Sequence, residues 1–457
     1  MLRRLLLGQH EDGRDYADFS YNPVALQDDI EDTSCRSHQT LGAEDLGAGG
    51  LFRLSQMRKQ KGSALSQPFP VLLSSALLPN KLVQVYREFE SRVYNGQFTS
   101  DGNCFYGSSQ DQILVYNTSD PLAWVRSRTI AGRSIRWTIT DVDITPCRKF
   151  LVYSTLDSHV NLVSLQPTEA DNPYQTVTDG RGSVGRTFEL ADPNGEGFGV
   201  FSVKVSGDGR EIVAGTTQRT IEVYDLVRGQ TVYRVPDAHQ DDINSVCFAN
   251  RDYSDVIFTG SDDSTVKLWD RRTLSQRGVP EGVFIGHREG VAHVSSKGDG
   301  YYLLSNSKDQ TLKLWDVRKM MQPDTARDFQ RSHRYFSGFD YRWQPYPGAG
   351  YSKRLAADVS VQTFRGHQVL GTLIRCYFSP LHSTAQRFIL TGSADGSPVI
   401  YDTVTGKRAG TLTSDQTGVP ARDVSWHPEL PMVTATSFAG DISVFAYGAK
   451  DLESEEK

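Results

Sequence analysis

Hydrophobic and polar residues alternate along this chain in short runs, and turn-forming residues separate the runs. The segment "VSGDGREIVAGTTQRTIEVYD", residues 205–225, shows the unit: a Gly-Asp-Gly turn, a β-type run, a second turn and a run that ends in Tyr-Asp. Alternation with a period of two between such turns predicts antiparallel strands joined by hairpins. The pattern therefore favours an all-β fold.

Strand endings of this kind recur along the chain, with separations of 47, 61, 45, 46, 86 and 44 residues. This spacing resembles the period of WD40 repeats, roughly 40 to 45 residues, and it predicts a seven-bladed WD40 β-propeller with insertions near 166–198 and 319–362. The longest gap contains "DYRWQPYPGAGYSKRL", which is rich in Pro, Gly and charge, so we expect an insertion there rather than an eighth blade. The endings are centred on Tyr116, Val163, Tyr224, Trp269, Trp315, Tyr401 and Phe445.

The alternating texture divides the chain into three parts. Residues 80–447 are the predicted propeller, residues 1–65 a flexible polar extension, and residues 448–457 an acidic tail. Within the extension, the pattern at 51–60 predicts a short helix that packs either on its own domain or on a partner. The run "KLVQVYREF", which starts at Lys81, is expected to supply the outer strand of the last blade and so to close the ring, because a free strand would leave an unpaired edge.

Composition narrows the class of protein. Of the 457 residues, 38% are hydrophobic, and 40 Gly and 19 Pro suit many short strands and turns. The net charge of −6 includes no dominant basic block, so we expect no direct nucleic-acid binding. No apolar run is long enough for a membrane span, and the five cysteines form no Cys-x-x-Cys pair. These features predict an intracellular protein of the nucleus or cytoplasm, with no metal and no cofactor.

Three units carry a histidine, a hydroxyl residue, an aspartate and an aromatic residue at matching positions. They resemble the hydrogen-bonded tetrads of the WD40 family, in which Asp orients His, His meets the hydroxyl, and the hydroxyl meets the aromatic N–H or O–H. A set that repeats with the blade period favours a structural role over a catalytic triad, and we expect no enzymatic activity. The sets are His239, Thr259, Asp263 and Trp269; His287, Ser305, Asp309 and Trp315; and His367, Thr391, Asp395 and Tyr401.

Two arginines are not explained by blade architecture. "DDSTVKLWDRR" and "KDQTLKLWDVR" place Arg272 and Arg318 two residues after Asp270 and Asp316. A guanidinium just past a strand end is expected to project from the rim of the ring, where its planar fork suits the carboxylates or carbonyls of a partner. Both phrases resemble the WDxR box of WD40 substrate receptors of cullin-4 RING ubiquitin ligases. In those receptors the arginine helps to dock on the damaged-DNA-binding adaptor subunit.

A wider resemblance covers residues 80–446. "SIRWTITDVDITP", "FDYRW", "TLIRCYFSPLHST" and "ARDVSWHPELP" are similar to the WD-repeat protein 23 family of cullin-4-associated receptors. The resemblance implies a non-enzymatic receptor that docks on the adaptor and holds an unknown substrate protein for ubiquitination and proteasomal degradation. The opposite face or the channel mouth would bind the substrate, with Arg136, Arg375 and Arg422 as candidate contacts. The alternative is a WD40 interaction scaffold in a chromatin or RNA-processing complex, since one fold serves many functions.

Overall fold

A computed structural model of the chain describes residues 77–132, 135, 137–165, 176–177, 185–190, 197–250, 254–332, 339–347, 354–415 and 417–448. The N-terminal extension with its predicted helix at 51–60 lies outside the described residues, as do Arg136 and residues 449–457 of the acidic tail.

The described strands form seven sheets, which confirms the prediction of an all-β, seven-bladed propeller. The first strand, β1 (Lys81–Tyr86), belongs to the last blade. Blade 1 contains β2 (Asn95–Phe98), β3 (Cys104–Ser108), β4 (Gln112–Asn117) and β5 (Val125–Ala131), and β5 also pairs with the short strand β9 (Thr176–Val177). Blade 2 contains β6 (Ile139–Ile144), β7 (Phe150–Thr155), β8 (His159–Ser164) and, as its fourth strand, β10 (Gly185–Glu189). Blade 3 contains β11 (Val200–Val205), β12 (Glu211–Thr216), β13 (Ile221–Asp225) and β14 (Gln230–Val235).

The remaining four blades follow the same order from the axis outward. They contain β15 (Ile243–Phe248), β16 (Val256–Ser261), β17 (Val266–Asp270) and β18 (Gly282–Phe284); β19 (Val291–Ser296), β20 (Tyr302–Ser307), β21 (Thr311–Asp316) and β22 (Gln362–Arg365); β23 (Cys376–Phe378), β24 (Phe388–Thr391), β25 (Val399–Asp402) and β26 (Arg408–Thr411); and β27 (Ala421–Trp426), β28 (Met432–Ser437) and β29 (Ile442–Ala446), followed by β1.

The described residues include three short α-helices outside the blade strands. Helix α1 (Arg271–Arg277) follows β17, α2 (Pro323–Ser332) lies in the long segment between β21 and β22, and α3 (Leu381–Thr384) precedes β24. Ala326 of α2 packs with Val283 and Ile285 of the neighbouring blade 4. Helix α2 therefore packs against the side of blade 4. Strand β22 begins at Gln362, and β10 lies within residues 166–198.

Pairing between β1 and β29 closes the ring, as the sequence predicts. Leu82 is paired with Phe445 and Tyr86 with Ile442, and Leu82 also packs on the core cluster that contains Phe445. The last blade thus takes one strand from the start of the propeller and three from its end. Strand β1 thereby pairs with the edge of β29 that would otherwise be unpaired.

Side chains of the innermost strands hold neighbouring blades together. At four blade boundaries of the described ring, an Asp or Ser of one blade accepts at least one hydrogen bond from a backbone N–H of the next blade. One contact at each of these boundaries, 2.9 to 3.2 Å long, is called an inner-strand clasp. Gly96 shows how close the blades come, because a Cβ added there would lie 2.2 Å from Thr436 Cγ2. The clasps are Val203 N to Asp141, Val246 N to Ser202, Val294 N to Ser245 and Gly96 N to Asp423.

The ring has two faces, and the third strand of each blade runs from one face to the other. His239 and His287 lie beside the turns before the third strands of blades 4 and 5, and we call this side the histidine face. Arg272 and Arg318 follow the ends of those strands, so they lie on the opposite side, the arginine face. The third strands of blades 4 and 5 have five and six residues, which separates the faces there by about 17 to 20 Å.

Replacement of Leu82 tests the role of β1 in closure. We expect Leu82→Asp to lower the free energy of unfolding by about 1 to 3 kcal/mol, because a charge would enter the apolar contact with the last blade. Val83→Asp is the matched control, since Val83 is 42% exposed and stands at the bulge in the β1–β29 pairing. Its effect should stay within about 0.5 kcal/mol. Urea unfolding of the three proteins measures the difference; equal losses would contradict closure by Leu82.

Candidate functional site

Asp270 organises the chain at the end of β17. Its carboxylate accepts the backbone N–H of Arg272 at 3.0 Å and so caps helix α1. The same carboxylate accepts Nε of Arg272 at 2.9 Å and Nη2 at 2.7 Å. The guanidinium is thereby held in a two-pronged hydrogen bond to its own chain.

Asp316 and Arg318 repeat this arrangement at the end of β21. The backbone N–H of Arg318 lies 2.9 Å from Asp316, and its Nε and Nη2 each lie 2.8 Å from the two carboxylate oxygens. Nη2 also donates to the Tyr302 hydroxyl at 3.0 Å, and the guanidinium carbon is 5.4 Å from the ring centre of Tyr301. We call the two pairs the Asp–Arg clamps.

The sequence leads us to expect that both arginines project from the rim with the guanidinium fork directed at a partner, but the clamps bind each fork to its own chain. Each guanidinium is folded back on its Asp, because a carboxylate two residues upstream matches the fork of the guanidinium. Arg272 and Arg318 nevertheless keep 42% and 43% of their side-chain surface exposed. Hydrogen bonds to Asp270 and Asp316 raise the pKa of both arginines. The clamps therefore present fixed, permanently charged, half-exposed groups; their role in adaptor binding stays a prediction.

A third clamp shows that the geometry alone is a local property. Arg342 donates from Nε and Nη2 to Asp340 at 2.9 and 2.8 Å. This pair lies on the histidine face, where Gly371 donates to the Tyr341 carbonyl at 2.8 Å and Lys308 Nζ is 4.2 Å from the Tyr341 ring centre. The clamp can therefore form at an Asp-x-Arg sequence that does not follow a blade strand. What distinguishes the pairs of blades 4 and 5 is their place at equivalent strand ends.

The structure brings together the predicted tetrad of blade 4. His239 Nδ1 lies 2.8 Å from Asp263, and its Nε2 lies 2.7 Å from the Thr259 hydroxyl. Trp269 Nε1 donates to the same hydroxyl at 2.9 Å. Burial alone would raise the pKa of Asp263, but His239 and Lys267 hold it below its usual range.

Blade 5 has the same chain of hydrogen bonds. His287 Nδ1 lies 3.1 Å from Asp309, its Nε2 lies 2.6 Å from the Ser305 hydroxyl, and Trp315 Nε1 donates to that hydroxyl at 2.7 Å. All four side chains are buried. Each buried polar group therefore has a partner, as expected of a structural strut.

The third predicted set is connected differently. His367 Nδ1 lies 3.0 Å from the Tyr401 hydroxyl, and its Nε2 lies 2.8 Å from Oδ1 of Asn306 in blade 5. Thr391 instead donates to the Arg375 carbonyl at 3.2 Å, and Asp395 accepts the N–H of Ser397 at 2.9 Å. The prediction of a tetrad connected Asp–His–hydroxyl–aromatic is wrong here. The Tyr401 hydroxyl bonds directly to His367, and the side-chain amide of Asn306 in the preceding blade bonds to the other ring nitrogen of His367.

Arg375 is not a surface residue, which contradicts its candidacy for substrate contact. Its side chain is 5% exposed and lies 2.8 Å from Asp141 of blade 2 and 3.5 Å from Asp423 of blade 7. Lys204 Nζ lies 2.7 Å from the same Asp141. Burial alone would raise the pKa of Asp141, but Arg375 and Lys204 hold it below its usual range. Arg375 therefore bridges blades across the ring axis, because the innermost strands face each other there.

Arg422 is also buried, so its candidacy is wrong for the same reason. Its Nε donates to the Thr372 hydroxyl at 3.2 Å, and Nη1 donates to the Tyr94 carbonyl. Sequence reasoning missed the acidic partners of this network. "TDVDI" and "RDVSW" place Asp141 and Asp423 before a valine at equivalent inner-strand positions, and this shared Asp-Val was the available signal.

Two further features of the described residues bear on the class of site. None of the helices in the described part of the chain is long and apolar enough to cross a bilayer. Across the same residues, no group of three His, Cys, Asp or Glu side chains is arranged to hold a metal ion.

Replacement of Arg375 tests the axial network. We expect Arg375→Ala to lower the free energy of unfolding by about 3 to 5 kcal/mol, because Asp141 and Asp423 lose a buried counter-charge. Arg408→Ala is the control, since Arg408 is exposed on β26 of the same blade, and it should change stability by less than about 0.5 kcal/mol. Chemical denaturation measures both. An Arg375→Ala protein as stable as the control would disprove the structural role.

His367 gives a pH-dependent prediction. Burial lowers the pKa of His367 to about 4, whereas an unfolded chain has a histidine pKa of about 6.5. Between these values the unfolded state binds a proton that the folded state does not, so stability should fall with decreasing pH, by up to about 3 kcal/mol from this residue. Unfolding titrations at several pH values measure this dependence. His367→Asn should make stability fall less steeply with decreasing pH, and the control His382→Asn, at an exposed position, should leave the slope unchanged. Equal slopes in all three proteins would contradict the assignment.

The sequence is similar to known proteins over most of its length. The family model "WD domain, G-beta repeat" matches residues 230–270 and 278–316. The LEC14B protein of Lithospermum erythrorhizon is 43% identical over 80% of this chain and 75% of its own length. A DDB1- and CUL4-associated factor 11 homolog of Caenorhabditis elegans is 36% identical over 87% of this chain and 68% of its own length. This chain belongs to the WD40-repeat family that includes the LEC14B proteins and the DDB1- and CUL4-associated factor 11 homologs.

Proposed function

We propose that this chain is a non-enzymatic substrate receptor of a cullin-4 RING ubiquitin ligase, acting in the nucleus or cytoplasm. It docks on DDB1, the damaged-DNA-binding adaptor, and holds a substrate protein for ubiquitination and proteasomal degradation. The observation that carries the proposal is the pair of Asp–Arg clamps at equivalent strand ends of neighbouring blades 4 and 5.

The clamps suit a docking surface for physical reasons. An arginine that is already held by Asp270 or Asp316 loses little side-chain freedom when a partner binds, so less entropy opposes association. The exposed part of each guanidinium still offers N–H donors to carbonyls or carboxylates. Adjacent blades repeat this donor, which provides two contacts of fixed relative position.

The relatives support the same partner. The C. elegans relative is named for association with DDB1 and CUL4, and its similarity extends over most of this chain. A receptor of this kind carries out no chemistry, because it raises the effective concentration of a substrate lysine near a ubiquitin-charged enzyme. Such a role needs two separate interfaces on one rigid body.

We infer that the substrate interface lies on the histidine face. If Arg272 and Arg318 bind the adaptor, the arginine face is covered by it. The third strands separate this face from the histidine face, which stays open to a substrate. Trp343 supports the assignment, because it is 85% exposed next to the Arg342 clamp on the histidine face. Tryptophans with exposed rings are enriched at protein interfaces.

The double variant Arg272→Ala plus Arg318→Ala tests the adaptor interface. We expect at least a tenfold loss of affinity for purified DDB1, since hydrogen bonds to charged groups contribute about 1.5 to 3 kcal/mol each. Arg342→Ala is the matched control, because it removes an Asp-clamped arginine of the same geometry from the other face. Biolayer interferometry on immobilised DDB1 measures both, and unfolding curves verify that each variant is folded.

Full DDB1 affinity in the folded double variant would exclude the clamps from the interface. No DDB1 binding by the unaltered chain would favour the alternative, a WD40 interaction scaffold in a chromatin or RNA-processing complex.

Arg272→Lys plus Arg318→Lys distinguishes charge from geometry. We expect the lysine variant to bind DDB1 weakly as well, because lysine cannot supply the planar fork.

A further inference from the structure

A tight turn that begins at Asp340 holds an exposed tryptophan on the histidine face. The Asp340 carbonyl accepts the backbone N–H of Trp343 at 3.1 Å, and the Arg342 clamp binds the Asp340 carboxylate. The Tyr341 carbonyl accepts the Gly371 N–H at 2.8 Å, which fixes the turn to the loop before blade 6. The ring of Trp343 is thus held in solvent by an ordered backbone, with 85% of its surface exposed.

The turn lies on an ion pair whose charges are already balanced. Lys308 Nζ lies 4.2 Å from the ring centre of Tyr341. The same Nζ donates to the two carboxylate oxygens of Asp262 at 2.7 and 2.8 Å, and Asn244 Nδ2 donates to that carboxylate at 2.6 Å. Lys308 and Asp262 therefore neutralise each other.

Two further carboxylates, of Asp242 and Glu289, lie beside this ion pair in the turns before β15 and β19. The Asp262 N–H donates to the Asp242 carbonyl at 3.0 Å, and the Lys308 N–H donates at 2.9 Å to the carbonyl of Gly290, next to Glu289. Both side chains are half-buried. Within the described part of the chain, neither carboxylate has a hydrogen-bond or ion-pair partner.

The pKa values of the two carboxyl groups reflect this lack of a partner. Burial raises the pKa of Asp242 to about 6, and the adjacent Asp241 adds to the increase. Burial raises the pKa of Glu289 to about 7, with a further increase from Asp309. Lys308 opposes both increases without cancelling them. Because a nearby cation lowers the pKa of a carboxyl group, this surface lacks positive charge that a partner can bring.

The two neighbouring elements add no net positive charge to this surface. Helix α2 reaches the turn before β15, where Gln240 Nε2 lies 3.4 Å from Gln330 Oε1, and its ten residues carry two aspartates and two arginines. The turn that carries Trp343 contains one cation, Arg342, which is bound to Asp340. The negative charge beside Trp343 is therefore not compensated by either element.

We propose that Trp343, Asp242 and Glu289 form a docking surface for a basic segment of the substrate protein. The inference rests on the proposed function, because it takes the histidine face as the side that is free for a substrate. One lysine or arginine of the segment lies over the indole ring, whose face attracts cations. Another bonds the two carboxylates, which supply acceptors for charged N–H groups. A large aromatic ring beside complementary charge is typical of residues that dominate binding energy.

Isothermal calorimetry with the full chain tests this surface. The titrations use low salt and a pH of about 8, where both carboxyl groups are ionised. The probes are peptides of equal length built from arginine–glycine, glutamine–glycine or glutamate–glycine repeats. We expect the arginine peptide to bind and the other two to show no binding, because only the arginine peptide supplies cations.

Variants locate the binding site of the arginine peptide. Asp242→Asn plus Glu289→Gln should weaken binding roughly tenfold, since both carboxylate acceptors lose their charge. Trp343→Ala should weaken binding about threefold through loss of the cation–π contact. Glu90→Gln plus Glu189→Gln is the matched control, because it removes two charges from exposed positions elsewhere on the ring. This control should bind the arginine peptide as the unaltered chain does.

Stability and adaptor binding provide separate measurements on the Asp242→Asn plus Glu289→Gln variant. Its free energy of unfolding in urea at the same pH should equal or exceed that of the control variant, because two unpaired charges are removed. Its DDB1 affinity should be unaltered, since both positions lie on the histidine face. If the unaltered chain binds the arginine peptide but not DDB1, the adaptor proposal fails and the basic-segment surface stands.

Three results would overturn the proposal. The first is equal affinity of the chain for the arginine and glutamine peptides. The second is equal affinity of the Asp242→Asn plus Glu289→Gln variant and its control for the arginine peptide. The third is a lower free energy of unfolding for that variant than for the control, which would show that the carboxylates bond within the chain.

Discussion

Contacts between innermost strands hold this ring together. Each clasp satisfies a backbone N–H of one blade with an Asp or Ser side chain of the blade before it, so neighbouring blades have a fixed separation. Arg375 then connects Asp141 and Asp423 across the axis. Because buried charges are stable only with close partners, the axial network favours one arrangement of the blades. Every surface feature, including the distance between the two clamps, depends on that arrangement.

Local regularity explains which parts of the fold were predictable. The strand period and the closing run at Lys81 follow from alternation and turns, which act over a few residues. The tetrads of blades 4 and 5 follow from repetition of four residue types. The set at Tyr401 departs from them because Asn306, in another blade, supplies one hydrogen bond. This contact joins two repeats, so the spacing of residues within one repeat does not predict it.

The candidate site shows the same limit. "WDRR" and "WDVR" identify both arginines, but not that each guanidinium is bound to the preceding Asp. Arg375 was misassigned because its partner Asp141 lies 234 residues away, and periodicity carries no information on contacts across the ring.

Hydrogen–deuterium exchange of the full chain, with and without DDB1, shows which face of blades 4 and 5 contacts the adaptor, because exchange slows where an interface excludes water and suppresses local opening. If the arginine face binds DDB1, residues 270–278 and 316–321 should be protected, and the turns at 262–265 and 308–311 should exchange as before. Protection confined to those turns on the histidine face would show that the clamps are not at the interface.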